Sequence, residues 1–184
     1  GLSYALLEAQ GPQQWPYPEG ASTGKVRLYE DGAFPTLDGK ARFVAIQHQP
    51  SADATTPELP ISLLSGRMRD HWHGMSRTGT VPRLFNLEDE PLLAMHPCDM
   101  RHRDLSSGDL VTVTNGRGEM VTRIIERPGL VKGRAWMPMH WGNQFMNTPG
   151  ANALACDATD PYSKQPELKH AAVQITKAEL PYPL

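Results

Sequence analysis

Two stretches of this sequence place side chains in patterns that can do chemistry. The first runs from Leu64 through Ser65-Gly66-Arg67-Met68-Arg69-Asp70-His71-Trp72-His73-Gly74 to Pro82-Arg83-Leu84. It carries Arg67, Arg69, Arg77 and Arg83 with His71 and His73, against the single acid Asp70. The whole chain is slightly acidic, with 18 Lys and Arg against 20 Asp and Glu. A local concentration of arginine on such a chain points to a discrete anion rather than to a polyanion such as nucleic acid. Arginine suits phosphate because its planar fork makes paired hydrogen bonds. Gly66 is expected to let a ligand approach the backbone. The bland alternative is a solvated loop after a buried strand. The second stretch, His140 to Tyr162, is expected to be mostly loop, and loops of this length in compact domains are commonly functional. It carries Trp141, Asn143, Gln144, Phe145, Asn147 and Asn152. Amide side chains offer both donors and an acceptor, which suits the edge of a heterocycle. An arginine loop for phosphates and an amide-rich loop for a heterocycle together suggest a dinucleotide-like ligand.

Other chemistries find little support. Ser65 is not in a G-x-S-x-G turn, no G-x-x-x-x-G-K-[ST] loop occurs, and the Rossmann glycine fingerprint is missing. Asp157, Asp160 and Glu167 lie close in sequence without the mark of a catalytic pair. Cys98 and Cys156 are far apart, which excludes a disulfide framework and a thiolate-only metal site, and they read as reduced thiols of a cytoplasmic protein. His71 and His73 share one face of a strand, but no further ligand with zinc spacing is near, so no metal ligands are assigned. No apolar run is long enough to span a membrane, and no secretory signal is visible. The chain begins Gly1-Leu2-Ser3 without Met, and is expected to be a piece of a longer polypeptide.

Positioning these stretches requires many short strands. Ser3 caps an expected helix over Tyr4 to Ala9, ended by Gly11-Pro12. Lys25 to Glu30 and Ala41 to Gln47 alternate like strands and are expected to form a hairpin. Gln49 to Glu58 reads as a linker. The expected organisation is thus an extension at 1–58, made of a short helix, a hairpin and the linker, and a main domain at 59–184. In that domain strands are expected at Leu59 to Leu64, breaking at Ser65-Gly66, and at Leu92 to Met95. Pro97 should open a helix that carries Asp99 in its first turn and ends near Ser107-Gly108. Leu110 to Thr114 and Glu119 to Glu126 should form a hairpin around Asn115-Gly116. Leu130 to Met137 and Lys169 to Thr176 complete the strands. Met137 is expected in the core; Met139 and the residues after Pro138 are divided between core and site. With 17 Pro and 16 Gly, this pattern of short strands and turns argues for a mainly β, closed or nearly closed barrel with few short helices.

The ordered motifs also carry a resemblance. They are Ser65-Gly66-Arg67-Met68-Arg69-Asp70-His71-Trp72-His73 with Arg77-Thr78-Gly79, Met95-His96-Pro97, Gly108-Asp109-Leu110-Val111, Met137-Pro138-Met139-His140-Trp141 and Asp160-Pro161-Tyr162-Ser163-Lys164-Gln165-Pro166-Glu167. Upstream, Asp38-Gly39-Lys40-Ala41-Arg42-Phe43 continues the pattern. Together they resemble the C-terminal cofactor-binding domain of molybdopterin oxidoreductases, and among these the assimilatory nitrate reductases. The resemblance implies a double-psi β-barrel that closes over bis-molybdopterin guanine dinucleotide with molybdenum. It implies cofactor contacts from Ser65, Gly66, Arg67, Met68, Arg69, Asp70, His71, Trp72, His73 and Gly74, from Met139 and His140, and from Asn152 and Lys169. It places the molybdenum ligand and an iron–sulfur cluster in upstream domains, so no catalytic residue is assigned here and the isolated chain is expected to be inactive. The expected partners are the remaining domains of the parent reductase and an electron-donor protein or domain, without nucleic acid or membrane. Within the family the alternative is a formate dehydrogenase; the segment from Arg67 to Gly79 favours nitrate reductase. Outside it the alternative is a stand-alone barrel that acts as a protein-interaction module.

Overall fold

The computed structural model describes residues 1–179. The chain divides into two compact units, Gly1–His48 and Gln49–Leu184.

In the first unit, helix α1 spans Tyr4–Gln10, and the Ser3 hydroxyl accepts the Leu6 N–H at its start. The helix stops at Gly11, whose N–H donates to the Leu7 carbonyl. The expected hairpin does not form: residues 25–30 and 41–47 make no strand. The turn signals between them are real, since Gly32 and Gly39 both take the left-handed backbone at φ 68°. Alternation supplies a strand only where one face has something to bury it. Here Val26, Phe43, Val44 and Ile46 stay exposed, and an isolated two-stranded ribbon is marginal in water.

The second unit is a closed barrel of six strands: β1 (Ile61–Gly66), β2 (Leu93–Met95), β3 (Leu110–Thr114), β4 (Glu119–Glu126), β5 (Arg134–Pro138) and β6 (Ala171–Lys177). Around the barrel their order is β1-β5-β2-β4-β3-β6. The β1–β5 and β2–β4 pairs are parallel and the others antiparallel. This mainly β, closed architecture is the double-psi β-barrel that the motifs implied. Two short helices accompany it, α2 (Pro82–Phe85) and α3 (Pro97–Arg101). Helix α3 begins as expected, with His96 Nδ1 accepting the Cys98 N–H and with Pro97 at the first position, but it ends at Arg101 rather than near Ser107-Gly108, and Asp104 beyond it takes left-handed backbone at φ 53°. Its Asp99 carboxylate is buried and accepts the Gly133 N–H at 2.7 Å, which fixes the approach to β5.

Period-two alternation fills the barrel. Ile61 and Leu63, Leu93 and Met95, Val111 and Val113, Met120 and Ile124, Ala135 and Met137, and Val173 and Ile175 all point into one core cluster. Met137 belongs to it, as its sequence setting suggested. The β3–β4 hairpin turns at Asn115, whose Oδ1 accepts the N–H groups of Arg117 and Gly118. The same side chain donates through Nδ2 to the Leu154 and Ala172 carbonyls, so it also ties the hairpin to the later chain. Residues 49–58 are held to the barrel through Asp53, whose carboxylate accepts both Nη atoms of Arg117 and the Ala172 N–H. His170 Nε2 donates to the Asp53 carbonyl from the other side.

Candidate functional site

Strand β1 runs on through Ser65 and Gly66, in register with β5 to Gly66↔Pro138, so the strand ends two residues later than the expected Leu64. A Cβ on Gly66 would run into the Trp136 indole, so the bare glycine makes room for that ring. The Gly66 carbonyl accepts the Met139 N–H at 2.8 Å, and the Ser65 hydroxyl donates to the Leu168 carbonyl. The arginine loop therefore leaves the barrel from a strand end anchored on two sides.

Inside the loop, backbone and histidines are bonded to one another. The Met68 N–H donates to His140 Nε2 at 2.8 Å, and His140 Nδ1 bonds the His73 carbonyl at 2.6 Å. His71 is buried; its Nε2 bonds the Glu88 carbonyl at 2.7 Å and its Nδ1 the Thr78 hydroxyl at 3.2 Å. That hydroxyl also accepts the Trp72 N–H. His73 (φ 43°) and Met75 (φ 59°) are left-handed, while Gly74 between them is not. Left-handed backbone costs a residue with a side chain about 1–2 kcal/mol, and the complete burial of Met75 helps hold it there.

The charges of the loop are disposed unevenly. Arg69 turns onto Asp70, with Nη2 3.0 Å from Oδ2, and this contact holds the Asp70 carboxyl below its usual range. Arg77 lies 5.4 Å over the Trp72 ring, which is 47% exposed. Arg67 is exposed and makes no ion pair among the described residues. Arg67, Arg77 and Arg83 are thus the arginines of this stretch without an acidic partner among the described residues, while His71 and His140 engage both ring nitrogens internally.

Beside this loop lies a cavity of about 280 Å³, lined by Gly74, Met139, His140, Trp141, Gly142, Gln144, Phe145 and Asn152. Four expected cofactor contacts from three separated stretches (Gly74, Met139, His140 and Asn152) meet in its wall. Asn152 arrives on a single 3-10 turn, Ala151–Leu154. Lys169 does not line the cavity; it is exposed and follows Leu168, the acceptor of the Ser65 hydroxyl. Trp141, Gly142, Gln144 and Phe145 complete the wall and were not among the expected contacts. The aromatic and amide content of their loop was the available signal. Trp141 is 3% exposed, packs edge-on against His71 with ring centroids 4.9 Å apart, and has no acceptor for its indole N–H among the described residues. The cavity wall therefore offers apolar surface from Met139 and Phe145 and the amides of Gln144 and Asn152, with no lysine or arginine, while the unpaired Trp141 N–H is buried behind it.

Burial lowers the His140 pKa below its ordinary value of 6.5; the bond to the His73 carbonyl opposes this, and nearby His71, Arg67 and His73 add to the lowering. The folded state then binds fewer protons at this ring than the unfolded chain. The stability tied to neutral His140 is therefore complete above pH 6.5 and is lost as pH falls below it, toward the depressed folded value. Unfolding free energy measured between about pH 7 and pH 5 should decline with a slope from this residue of at most about 1.4 kcal/mol per pH unit. His140→Asn should remove that component.

Comparisons with known proteins bear on the family and the fold. A nitrate reductase of Klebsiella oxytoca is 37% identical over 174 residues, covering 95% of this chain and 20% of the relative. A nitrate reductase of Synechocystis sp. is 35% identical over 180 residues, covering 96% of this chain and 25% of the relative. The chain thus spans about a fifth to a quarter of the length of these relatives. Acetylene hydratase from Pelobacter acetylenicus shares the fold, with a TM-score of 0.54 and 20% identity, over 66% of this chain and 19% of that one. The model of the molydopterin dinucleotide binding domain matches residues 61–172. That match takes in strands β1 to β5, the start of β6, the arginine loop and the cavity wall, and the chain belongs to this family of molydopterin dinucleotide binding domains.

Proposed function

We propose that this chain is the cofactor-binding domain of a molybdenum-dependent nitrate reductase, which in the complete polypeptide reduces nitrate to nitrite. One observation carries the reading: Gly74, Met139, His140 and Asn152 converge on one cavity at the root of the arginine loop. A molybdopterin guanine dinucleotide fits the chemistry of these residues. Both of its ring systems present a hydrogen-bonding edge, which the Asn152 and Gln144 amides complement. Its diphosphate suits Arg67 and Arg77 and the loop from Ser65 to Gly74. Lys169 supplies further positive charge beside Ser65. When bound, the group would supply a redox metal centre for the two-electron, two-proton removal of an oxygen atom from nitrate as water. The residues of this chain orient the dinucleotide and neutralise its charge, and they carry no step of the reaction. The bis-dinucleotide form of the cofactor, an iron–sulfur cluster elsewhere, a cytoplasmic setting and an electron-donor partner belong to the same reading. No helix among the described residues is long and apolar enough to cross a membrane.

The test is an assay of the complete polypeptide, purified with its cofactor, on nitrate and on formate. Nitrate reduction is expected; formate oxidation without nitrate reduction would replace this reading with a formate dehydrogenase. The 184-residue chain alone should bind no stoichiometric molybdenum by elemental analysis and should leave nitrate unreduced.

A further inference from the structure

We infer that His140 is a positioning residue: its neutral imidazole, in the Nδ1–H tautomer, is the peg around which residues 68–73 close, so that the loop is set before a dinucleotide arrives. The tautomer follows from the partners. A backbone N–H only donates, so Nε2, 2.8 Å from the Met68 nitrogen, must be the bare nitrogen. A carbonyl only accepts, so Nδ1, 2.6 Å from the His73 oxygen, must carry the proton. Both nitrogens are therefore taken, and the residue is 1% exposed. His140 borders the cavity but has no donor or acceptor left for a ligand.

The peg is also well seated. Strand β5 stays in register with β1 as far as Pro138, and the next residue, Met139, donates its N–H to the Gly66 carbonyl. The ring that follows is thus fixed to the barrel at the point where the arginine loop departs. From there it takes hold of the loop at both ends, at Met68 and at His73. A second proton on His140 would turn an Nε2–H against the Met68 N–H and open the ring of bonds. The charged and titratable groups facing the imidazole are Arg67, His71 and His73, none of which stabilises a second proton. Holding a loop in its bound shape removes an ordering cost from binding, which is the advantage this arrangement confers. The inference rests on the dinucleotide reading for its ligand, but not for its geometry.

Three variants of the 184-residue chain separate the two bonds. Asparagine places an amide where Nδ1 lies and keeps the contact to His73; glutamine places its carbonyl near Nε2 and keeps the contact to Met68; alanine keeps neither. Imidazole nitrogen-15 shifts of the wild type at neutral pH should report a protonated Nδ1 and a bare Nε2. The Met68 amide should be slow to exchange in the wild type and in His140→Gln, and fast in His140→Asn and His140→Ala. With guanosine diphosphate as the probe, His140→Ala should weaken the response of residues 67–74 about tenfold, and the two amide variants less. An Nε2–H tautomer, unchanged Met68 exchange in His140→Asn, or equal affinity of the folded His140→Ala variant would overturn the inference. Direct ligand contact by His140 would instead appear as a large shift of its own ring nitrogens on titration, with Asn and Gln failing alike. If guanosine diphosphate moves no resonance of the wild type while the tautomer and exchange results hold, the dinucleotide reading falls and the positioning role falls with it. If the probe binds but those results fail, only the inference falls.

Discussion

Replacing Gly150 with alanine should destabilise the barrel unit by about 2–3 kcal/mol and disturb the cavity. The backbone at Gly150, with φ −81° and ψ −177°, is one that alanine adopts freely, so the penalty is steric. The added Cβ would collide with the Trp141 carbonyl oxygen, and its next neighbours, the Trp141 carbonyl carbon at 3.1 Å and the Gly142 Cα at 3.5 Å, are also backbone. No side chain can swing away; either the strand of loop at 141–142 or the approach to the 3-10 turn at Ala151 must move. Both carry walls of the cavity. Gly74 and Gly142 provide the contrast, since a Cβ at either meets nothing within 4 Å and neither has a positive φ. Gly74→Ala and Gly142→Ala should stay within about 0.5 kcal/mol of the wild type. Chemical denaturation of the three variants checks this, and equal stability of all three would contradict the close packing of Gly150 on Trp141.

Asp53→Ala should cost about 2–3 kcal/mol, which for a chain of this size lowers Tm by about 5–10 °C. Burial alone would raise the Asp53 carboxyl, but the Arg117 fork and the Ala172 N–H outweigh it and hold the group below its ordinary value of 3.8. The side chain of Asp53 is 13% exposed and that of Arg117 35%, so solvent screens part of the attraction and the figure stays below that of a fully buried pair. Removing the carboxylate also leaves the Ala172 N–H without its acceptor. Arg117 keeps the Leu154 carbonyl through Nε and Nη2, so the β3–β4 turn should persist while residues 49–58 come loose. In the wild type this contribution is fully present above pH 3.8 and is lost as pH falls through the depressed folded value. Thermal unfolding of Asp53→Ala at neutral pH measures the effect; a Tm equal to that of the wild type would show that residues 49–58 bear no load.

The barrel was legible where sequence and environment act together. Leu110 to Glu126 reads as a hairpin because alternation, β-branched residues and Asn115-Gly116 all agree, and the chain folds so. The same alternation misled at Lys25 to Glu30 and Ala41 to Gln47, where no second layer in that unit covers the apolar face. Gly66 carried a real signal, but its cause is the Trp136 indole, a contact between strands that no local pattern contains. The site was legible in its residue types and not in its divisions of labour. His71, His73 and His140 look alike in the sequence; the fold makes two of them internal braces and leaves His73 near the surface. Four of the cavity-wall positions followed from the family resemblance. Trp141, Gln144 and Phe145 required the path of the loop, which depends on close approaches such as that of Gly150 to Trp141.

In the proposed function the arginine loop and the cavity form one dinucleotide site. The most direct test is a titration of isotope-labelled chain with guanosine diphosphate, followed by amide chemical shifts, with sulfate at matched ionic strength as the control. A single dinucleotide site should bind weakly, on the order of millimolar, with shifts clustered over Ser65 to Gly74 and at Asn152 and Gln144, and with a response to sulfate confined to the loop. Shifts restricted to other surfaces, or the same pattern from sulfate and the nucleotide, would contradict it.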